Sequence, residues 1–180
     1  MTENVLFVCE DNSILSPMAE AFTRRHCKSI FKVFSAGMIS RPIHLYTFQV
    51  MEEIGYDLYN AQVKNISDLR SLDQVDYLIT LAFSLRNLPT VLDDRTRCRL
   101  HWSFKNPLLD QRQNEGLRSV NHIPSQPRDP QKIIPVSAQD LPNRNTGEIR
   151  ARFRRIRDEI EVQVMNWLEE QGIGPLWWRR

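Results

Sequence analysis

Short apolar runs in the first hundred residues predict four β-strands. Residues 4–8 are β-branched or aromatic almost without interruption, which is typical of a strand buried on both faces of a parallel sheet. Residues 32–35, 76–81 and 99–102 predict three further strands. Because crossovers between parallel strands are right-handed, this pattern indicates a small doubly wound α/β sheet.

Three segments are predicted to be helices, the first from its cap and the other two from the spacing of their apolar residues. The first two cover residues 18–27 and 44–54. The third begins at a capping box formed by Asn145 and Glu148 and closes at Gly172. Its apolar positions recur every three or four residues, at Ile149, Phe153, Ile156, Ile160, Val164 and Trp167. The sequence therefore predicts one long amphipathic helix near the end of the chain.

We predict that residues 1–180 form one domain. Two segments of this domain differ in composition from the rest. Residues 108–145 form a polar, proline-rich insertion in which a long helix is excluded. Such composition favours mobility, and a functional loop is the alternative. Residues 172–180 form a tail in which Trp177-Trp178 precede two arginines. These tryptophans either bind a partner or fold back onto the domain.

Composition and charge narrow the classes of function. With 24 basic and 22 acidic residues, the formal charge of +2 gives no strong field to attract nucleic acid or anionic lipid. The longest apolar run near the N-terminus, residues 5–8, is far too short for a signal peptide or a membrane span. Cys9, Cys27 and Cys98 have neither disulfide nor zinc spacing and suit a reducing compartment. We therefore expect a cytoplasmic protein with no metal, cofactor, nucleic-acid partner or membrane span.

Cys9 is the first candidate for chemistry. It ends the first predicted strand, and a short loop leads from it to a helix that opens with Ser16-Pro17. Backbone N–H groups and the helix dipole favour an anion at such a place. The same field should lower the thiol pKa and favour the thiolate, the form that attacks phosphorus or arsenic. A structural buried cysteine is the alternative, since free cysteine is among the most buried residue types.

The surrounding sequence carries a more specific pattern. The loop and helix start read Cys9-Glu10-Asp11-Asn12-Ser13-Ile14-Leu15-Ser16-Pro17-Met18-Ala19-Glu20. This resembles the signature of the low-molecular-weight tyrosine phosphatase and thioredoxin-coupled arsenate reductase superfamily, a C-x5-R-S loop before a Pro-Met-Ala-Glu or Gln-Met-Ala-Glu helix start. Residues 35–37, 51–57, 77–81 and 153–161 are also similar to that family, and residues 101–107 resemble a His-Trp-Gly-Phe-Asp-Asp-Pro segment of its reductase branch. The resemblance implies a three-layer, flavodoxin-like fold with a four-stranded parallel sheet of order 2-1-3-4.

Two positions depart from the family pattern. Leu15 replaces the loop arginine, whose planar guanidinium holds the oxyanion through two charge-assisted hydrogen bonds. Glu10 and Asp11 add negative charge near the same place. Asn106 replaces the aspartate that protonates the leaving oxygen in the family, and Asp110 is the alternative proton donor. Both changes predict weakened phosphatase chemistry.

The resemblance also shows which other groups are kept and lost. Cys9, Asn12, Ser13 and Ser16 match the residues that shape the loop and hydrogen-bond the sulfur, and they could still hold a small monoanion or water. Turn and cap formation is the alternative role for Asn12 and Ser16. The reductase branch passes a disulfide outward through two more cysteines, here replaced by Ala82 and Leu88. Cys27 and Cys98 match no redox position of the family and are expected in the core.

Three functions remain open. The first, which the chemical losses favour, is a catalytically impaired family member acting as a regulatory or interaction protein. Its candidate ligands are a small oxyanion and a protein partner bound through residues 108–145 or Trp177-Trp178. The second is an active cysteine-dependent phosphatase or arsenate reductase in which Arg41 or Lys64 binds the anion. The third is a redox-sensing thiol protein that uses Cys9.

Overall fold

A single parallel sheet organises the chain in the computed structural model. The structure describes residues 2–27, 30–69, 72–85, 92–108 and 146–173. The strands are β1 (Glu3–Cys9), β2 (Phe31–Gly37), β3 (Val75–Ala82) and β4 (Thr96–Phe104). They are arranged in the order β2-β1-β3-β4, and every pairing is parallel. The predicted α/β fold and the 2-1-3-4 order are confirmed.

The central strand β1 explains why the sheet forms here. Residues 5–8 are completely buried because apolar side chains cover both faces of the strand. In register, Cys9 at the end of β1 lies beside Gly37 at the end of β2. Since parallel strands end at one edge of the sheet, the loops that follow β1, β2, β3 and β4 all emerge at that edge. Cys9 is therefore at the edge where α/β sheets place their ligands.

Among the described residues, three helices cover one face of the sheet. They are α1 (Leu15–Cys27), α2 (Leu45–Glu52) and α3 (Thr146–Glu170). Trp167 of α3 stacks on Phe31 and meets Tyr77 and Trp102 at steep ring angles, which fixes α3 to the sheet. On the other face, a second apolar cluster includes residues from the short 3₁₀ turns Ile66–Leu69 and Phe83–Leu85.

Element boundaries differ modestly from those predicted. α1 begins at Leu15, inside the predicted loop, because Ser16 and Pro17 already belong to its first turn. α2 ends at Glu52, and the chain then turns through Gly55, whose φ of 77° suits glycine. α3 is the predicted long helix, followed by Gly172 at φ 74°.

Several predictions fall on residues outside those that the structure describes. The insertion 108–145 lies outside them except for Leu108, as do Leu88, Asp110 and Trp177-Trp178. What was predicted of these residues stays a prediction. Across the described ranges, no helix combines the length and hydropathy needed to cross a bilayer, and no three His, Cys, Asp or Glu residues are grouped to hold a metal ion.

Candidate functional site

The loop between β1 and α1 surrounds the sulfur of Cys9. The side chain is only 2 % exposed, although it stands at the end of a strand. Its Sγ accepts a hydrogen bond from the backbone N–H of Asn12 at 3.2 Å and shares a second with Ser16 Oγ at 2.9 Å. Groups of the loop and of the first turn of α1 therefore occupy part of the space around the sulfur.

Asn12 connects this loop to the rest of the fold. Its φ of 55° lies in the left-handed region, which asparagine tolerates better than most residues. The completely buried side chain donates to Ser16 Oγ at 2.8 Å and Ser35 Oγ at 2.9 Å, and its Oδ1 accepts from the backbone N–H of Lys64 at 2.8 Å. Asn12 thus holds the start of α1, the end of β2 and a distant loop together.

Ser13 has a different role from the other loop residues. Its backbone N–H and its hydroxyl both donate to Asp11 Oδ1, at 3.2 and 2.7 Å. Its carbonyl accepts from the backbone N–H of His44 at 3.0 Å and from Thr47 Oγ1 at 3.1 Å. Ser13 therefore anchors the loop to α2, and its hydroxyl is engaged by Asp11.

His44 and Thr47 were not identified from the sequence as part of this site. His44 precedes α2, and its Nδ1 caps the helix by accepting from the backbone N–H of Tyr46 at 3.1 Å. Burial lowers the pKa of His44, although the nearby Asp11 opposes the shift. The imidazole is accordingly neutral at pH 7 and offers no positive charge to an anion. A histidine at the first position of a predicted helix was the signal that could have found it.

Leu15, which the sequence resemblance aligns with the loop arginine, is packed into the core. The side chain is 6 % exposed and belongs to the main apolar cluster, together with Ile14 and Met18. A leucine there offers neither charge nor a hydrogen-bond donor to a ligand. Leu15 is therefore both the strongest chemical departure from the family pattern and a part of the apolar core.

The two candidate substitute cations, Arg41 and Lys64, contact the loop after β1 through their backbone N–H groups. Arg41 is exposed, and its backbone N–H donates to the carbonyl of Asp11 at 3.0 Å. The backbone N–H of Lys64 binds Asn12, whereas its ammonium donates to the carbonyl of Gln62 at 3.0 Å. The Lys64 ammonium is thus engaged by a backbone carbonyl, and both residues meet the loop through backbone hydrogen bonds.

Asn106 and Ala82 follow the ends of the other strands. Asn106 lies just beyond β4, half-buried, and its Oδ1 accepts from the backbone N–H of Leu108 at 3.0 Å. This bond gives the amide a turn-forming role. Ala82 ends β3 and carries no thiol at the place of the first relay cysteine. In the sheet, β3 lies between β4 and β1. The strand that precedes Asn106 is therefore not a direct neighbour of the strand that ends at Cys9.

The electrostatics of Cys9 correct one prediction from the sequence. Burial raises the pKa of the Cys9 thiol, the Asp11 carboxylate raises it further, and the hydrogen bond with Ser16 only partly offsets these effects. The prediction that the helix N-terminus would lower the pKa of this thiol is wrong, because desolvation of the sulfur outweighs the hydrogen bonds that it makes with the loop. A protonated Cys9 can donate to Ser16 Oγ in the observed geometry.

The other two cysteines lie away from this loop. Cys27, at the end of α1, is buried as predicted, and burial raises its pKa. Cys98 is only half-buried, and it lies on β4, the outermost strand of the sheet in the part of the chain that the structure describes. The prediction that both are core residues is therefore right for Cys27 and wrong for Cys98.

We expect iodoacetamide to alkylate Cys9 at least about tenfold more slowly than Cys98 near neutral pH, because the reactive species is the thiolate and the sulfur must also be reached. Because burial raises the pKa of Cys9, its rate should still be increasing at pH values above the ordinary thiol pKa of 9.0. Peptide mapping by mass spectrometry measures each site separately. In urea the rates should become similar, and a Cys9 that reacts as fast as Cys98 in the folded protein would contradict the burial and protonation described here.

The sequence of the chain matches a known protein family and known proteins. The model of the low molecular weight phosphotyrosine protein phosphatase family matches residues 4–113. An arsenate reductase of Brevibacillus brevis is 28% identical over 105 residues, which is 58% of this chain and 77% of that protein.

Solved structures share the fold. One arsenate reductase, in its phosphate binding state, superposes with a TM-score of 0.65 at 22% identity, covering 94% of this chain and 98% of its own. The tyrosine phosphatase Wzb from Escherichia coli K30, in complex with sulphate, gives a TM-score of 0.55 at 18% identity, covering 95% and 99%. At these identities the likeness establishes the fold alone.

Proposed function

Because the chain belongs to the low molecular weight phosphotyrosine protein phosphatase family, we propose that it keeps the family's loop, has lost efficient hydrolysis, and acts as a regulatory or interaction protein. The observation that carries this proposal is Leu15, packed in the core at the place of the oxyanion-binding arginine. Losing a bidentate contact and its stabilisation of the transition state costs several kcal/mol, on the order of a thousandfold in rate.

Two further groups support the loss of hydrolysis. Cys9 is buried and its pKa is raised, so little thiolate is present near neutral pH. Asn106 is an amide that cannot transfer a proton, and general acid catalysis typically contributes ~10²–10⁴-fold. The nucleophile, the oxyanion contact and the proton donor expected from the family would thus all be impaired.

Weak binding of a small oxyanion is part of the proposal. The loop precedes the N-terminus of α1, where backbone N–H groups favour an anion. One solved relative is an arsenate reductase in a phosphate binding state, and another is a phosphatase in complex with sulphate. Glu10 and Asp11 oppose a dianion here, so we expect a monoanion to be preferred and its affinity to be low.

Arsenate reduction through thioredoxin is disfavoured by the same kind of argument. Ala82 has no thiol with which to receive a disulfide from Cys9. A glutathione-coupled route needs only the first thiolate, but it still needs a cation that grips the oxyanion. The free state of Cys9, Cys27 and Cys98 fits a reducing compartment, and we propose residence in the cytoplasm.

We expect the purified protein to hydrolyse p-nitrophenyl phosphate no faster than its Cys9→Ser variant does. We expect the same of arsenate reduction with thioredoxin or glutathione. Both assays follow product continuously, and circular dichroism checks that the variant is folded. A rate that Cys9→Ser abolishes would overturn the proposal.

In that event, Arg41→Ala and Lys64→Ala would identify the substitute cation, with the exposed Lys105→Ala as the matched control. A Cys9-dependent change on oxidation, without turnover, would favour redox sensing instead.

A further inference from the structure

Charge is strongly segregated along α3. Its first half carries basic residues against a single acidic one, Glu148, and its second half carries acidic residues and no lysine or arginine. The basic residues are Arg150, Arg152, Arg154, Arg155 and Arg157, and the acidic residues of the second half are Asp158, Glu159, Glu161, Glu169 and Glu170. Cations near a helix N-terminus and anions near its C-terminus oppose the helix dipole. The pattern therefore does not stabilise the helix itself.

One exposed stripe of α3 displays both halves of this pattern. Its members recur every three or four residues on the side opposite the buried face, so they form one straight row. They are Ala151, Arg155, Glu159, Val162, Asn166 and Glu169. Val162 is an apolar side chain that is 60 % exposed, and Arg155 and Glu169 stand at equal distances before and after it.

Most other α3 arginines are already paired within the fold. Arg154 and Arg157 both reach Glu53 at the end of α2, and Arg152 pairs with Glu148 one turn earlier. Arg155, Glu169 and Glu170, by contrast, make no ion pair with any residue in the described ranges of the chain. Arg155 and Glu169 therefore remain available on the exposed stripe, and Glu170 lies beside it.

We propose that this stripe binds a second copy of the chain, with the two α3 helices antiparallel and crossing near Val162. Arg155 then faces the second copy's Glu169, roughly 10 Å along the helix from Val162 at 1.5 Å per residue. The two-fold axis repeats that contact, since in an isologous interface residue i meets j and j meets i. The two Val162 side chains meet at the axis and cover each other's exposed surface.

Charge complementarity favours a second copy of the chain as the binding partner, and it favours the antiparallel orientation of the two α3 helices. A parallel pair would place Arg155 opposite Arg155 and Glu169 opposite Glu169, which is repulsive. An anionic partner would match the first half of the stripe only and would be repelled by the second. A second copy in antiparallel orientation matches both halves with the residues of one surface.

Sedimentation velocity of the full chain over a range of concentrations tests this. Dimer is expected at low salt, and its dissociation constant should increase at high salt because the pairs are exposed to solvent. Arg155→Glu and Glu169→Arg should each weaken the dimer at least about tenfold, because each variant places like charges opposite one another twice. The double variant R155E/E169R should restore it, and a mixture of the two single variants should form the heterodimer.

Matched controls carry the same charge changes elsewhere. Lys32→Glu and Glu52→Arg are exposed positions outside α3 and should leave the dimer unchanged. A monomer at every concentration and salt would overturn the proposal, as would a dimer that neither α3 variant weakens. Loss of the dimer in the single variants without rescue in the folded double variant would also overturn it, because the Arg155–Glu169 pairing would then be wrong.

Discussion

Leu15→Arg combined with Asn106→Asp is expected to tighten the binding of inorganic phosphate by at least about tenfold and to produce Cys9-dependent hydrolysis, with a gain on the order of 10²–10³ in rate. An arginine at the first residue of α1 would supply the planar guanidinium that the loop lacks. Its charge would also lower the pKa of Cys9, which burial and Asp11 now raise. Isothermal titration calorimetry with phosphate and turnover of p-nitrophenyl phosphate measure the two effects.

Single variants and two controls separate the contributions. Leu15→Arg alone should improve affinity with little turnover, whereas Asn106→Asp alone should leave affinity unchanged. Leu15→Met keeps an apolar side chain of similar volume and should change nothing, and Leu15→Lys tests whether charge without the planar fork is enough. Leu15 belongs to the core cluster, so thermal unfolding has to be followed in parallel. A folded double variant with no gain in phosphate affinity would mean that the loop is not an anion site.

The fold could be predicted because its signals are local. The uninterrupted apolar run of β1 indicated a strand buried on both faces, and the loop motif then suggested the strand order that the structure has. The bounds of α1 were less accessible. Leu15 was predicted as the last loop residue and Ser16 as the helix cap, yet the backbone is already helical at both.

The properties of the site depended on contacts that the sequence does not reveal. Asn12 could be assigned to the loop, but its partners Ser35 and Lys64 come from distant parts of the chain. The thiol pKa could not be predicted from the helix N-terminus alone, because its direction is set by how completely the fold buries the Cys9 sulfur. Cys98 was placed in the core because it matches no redox position of the family, and the position of β4 in the sheet cannot be recognised from its own residues.

Gly37→Ala is expected to destabilise the fold by more than about 3 kcal/mol, a size reserved for substitutions that force a clash or break a buried network. A Cβ at Gly37 would lie 2.1 Å from the carbonyl oxygen of Ile39, 2.7 Å from the backbone nitrogen of Asn12 and 2.7 Å from the carbonyl carbon of Asp11. All three are backbone atoms, so no rotamer change relieves the overlap. The loop would have to move away from β2 and give up the bond from Asn12 to the Cys9 sulfur.

Gly55→Ala provides the matched control for this substitution. Its φ of 77° makes alanine strained, but no atom lies within 4 Å of the added Cβ, so we expect a cost of about 1–2 kcal/mol. Urea unfolding followed by tryptophan fluorescence measures both, since Trp102 and Trp167 are buried in the core. Equal stability of the two variants would show that the close approach of β2 to the Cys9 loop is not what holds that loop in shape. A much larger loss for Gly37→Ala would identify backbone contact, rather than any bound anion, as the constraint that keeps the thiol enclosed.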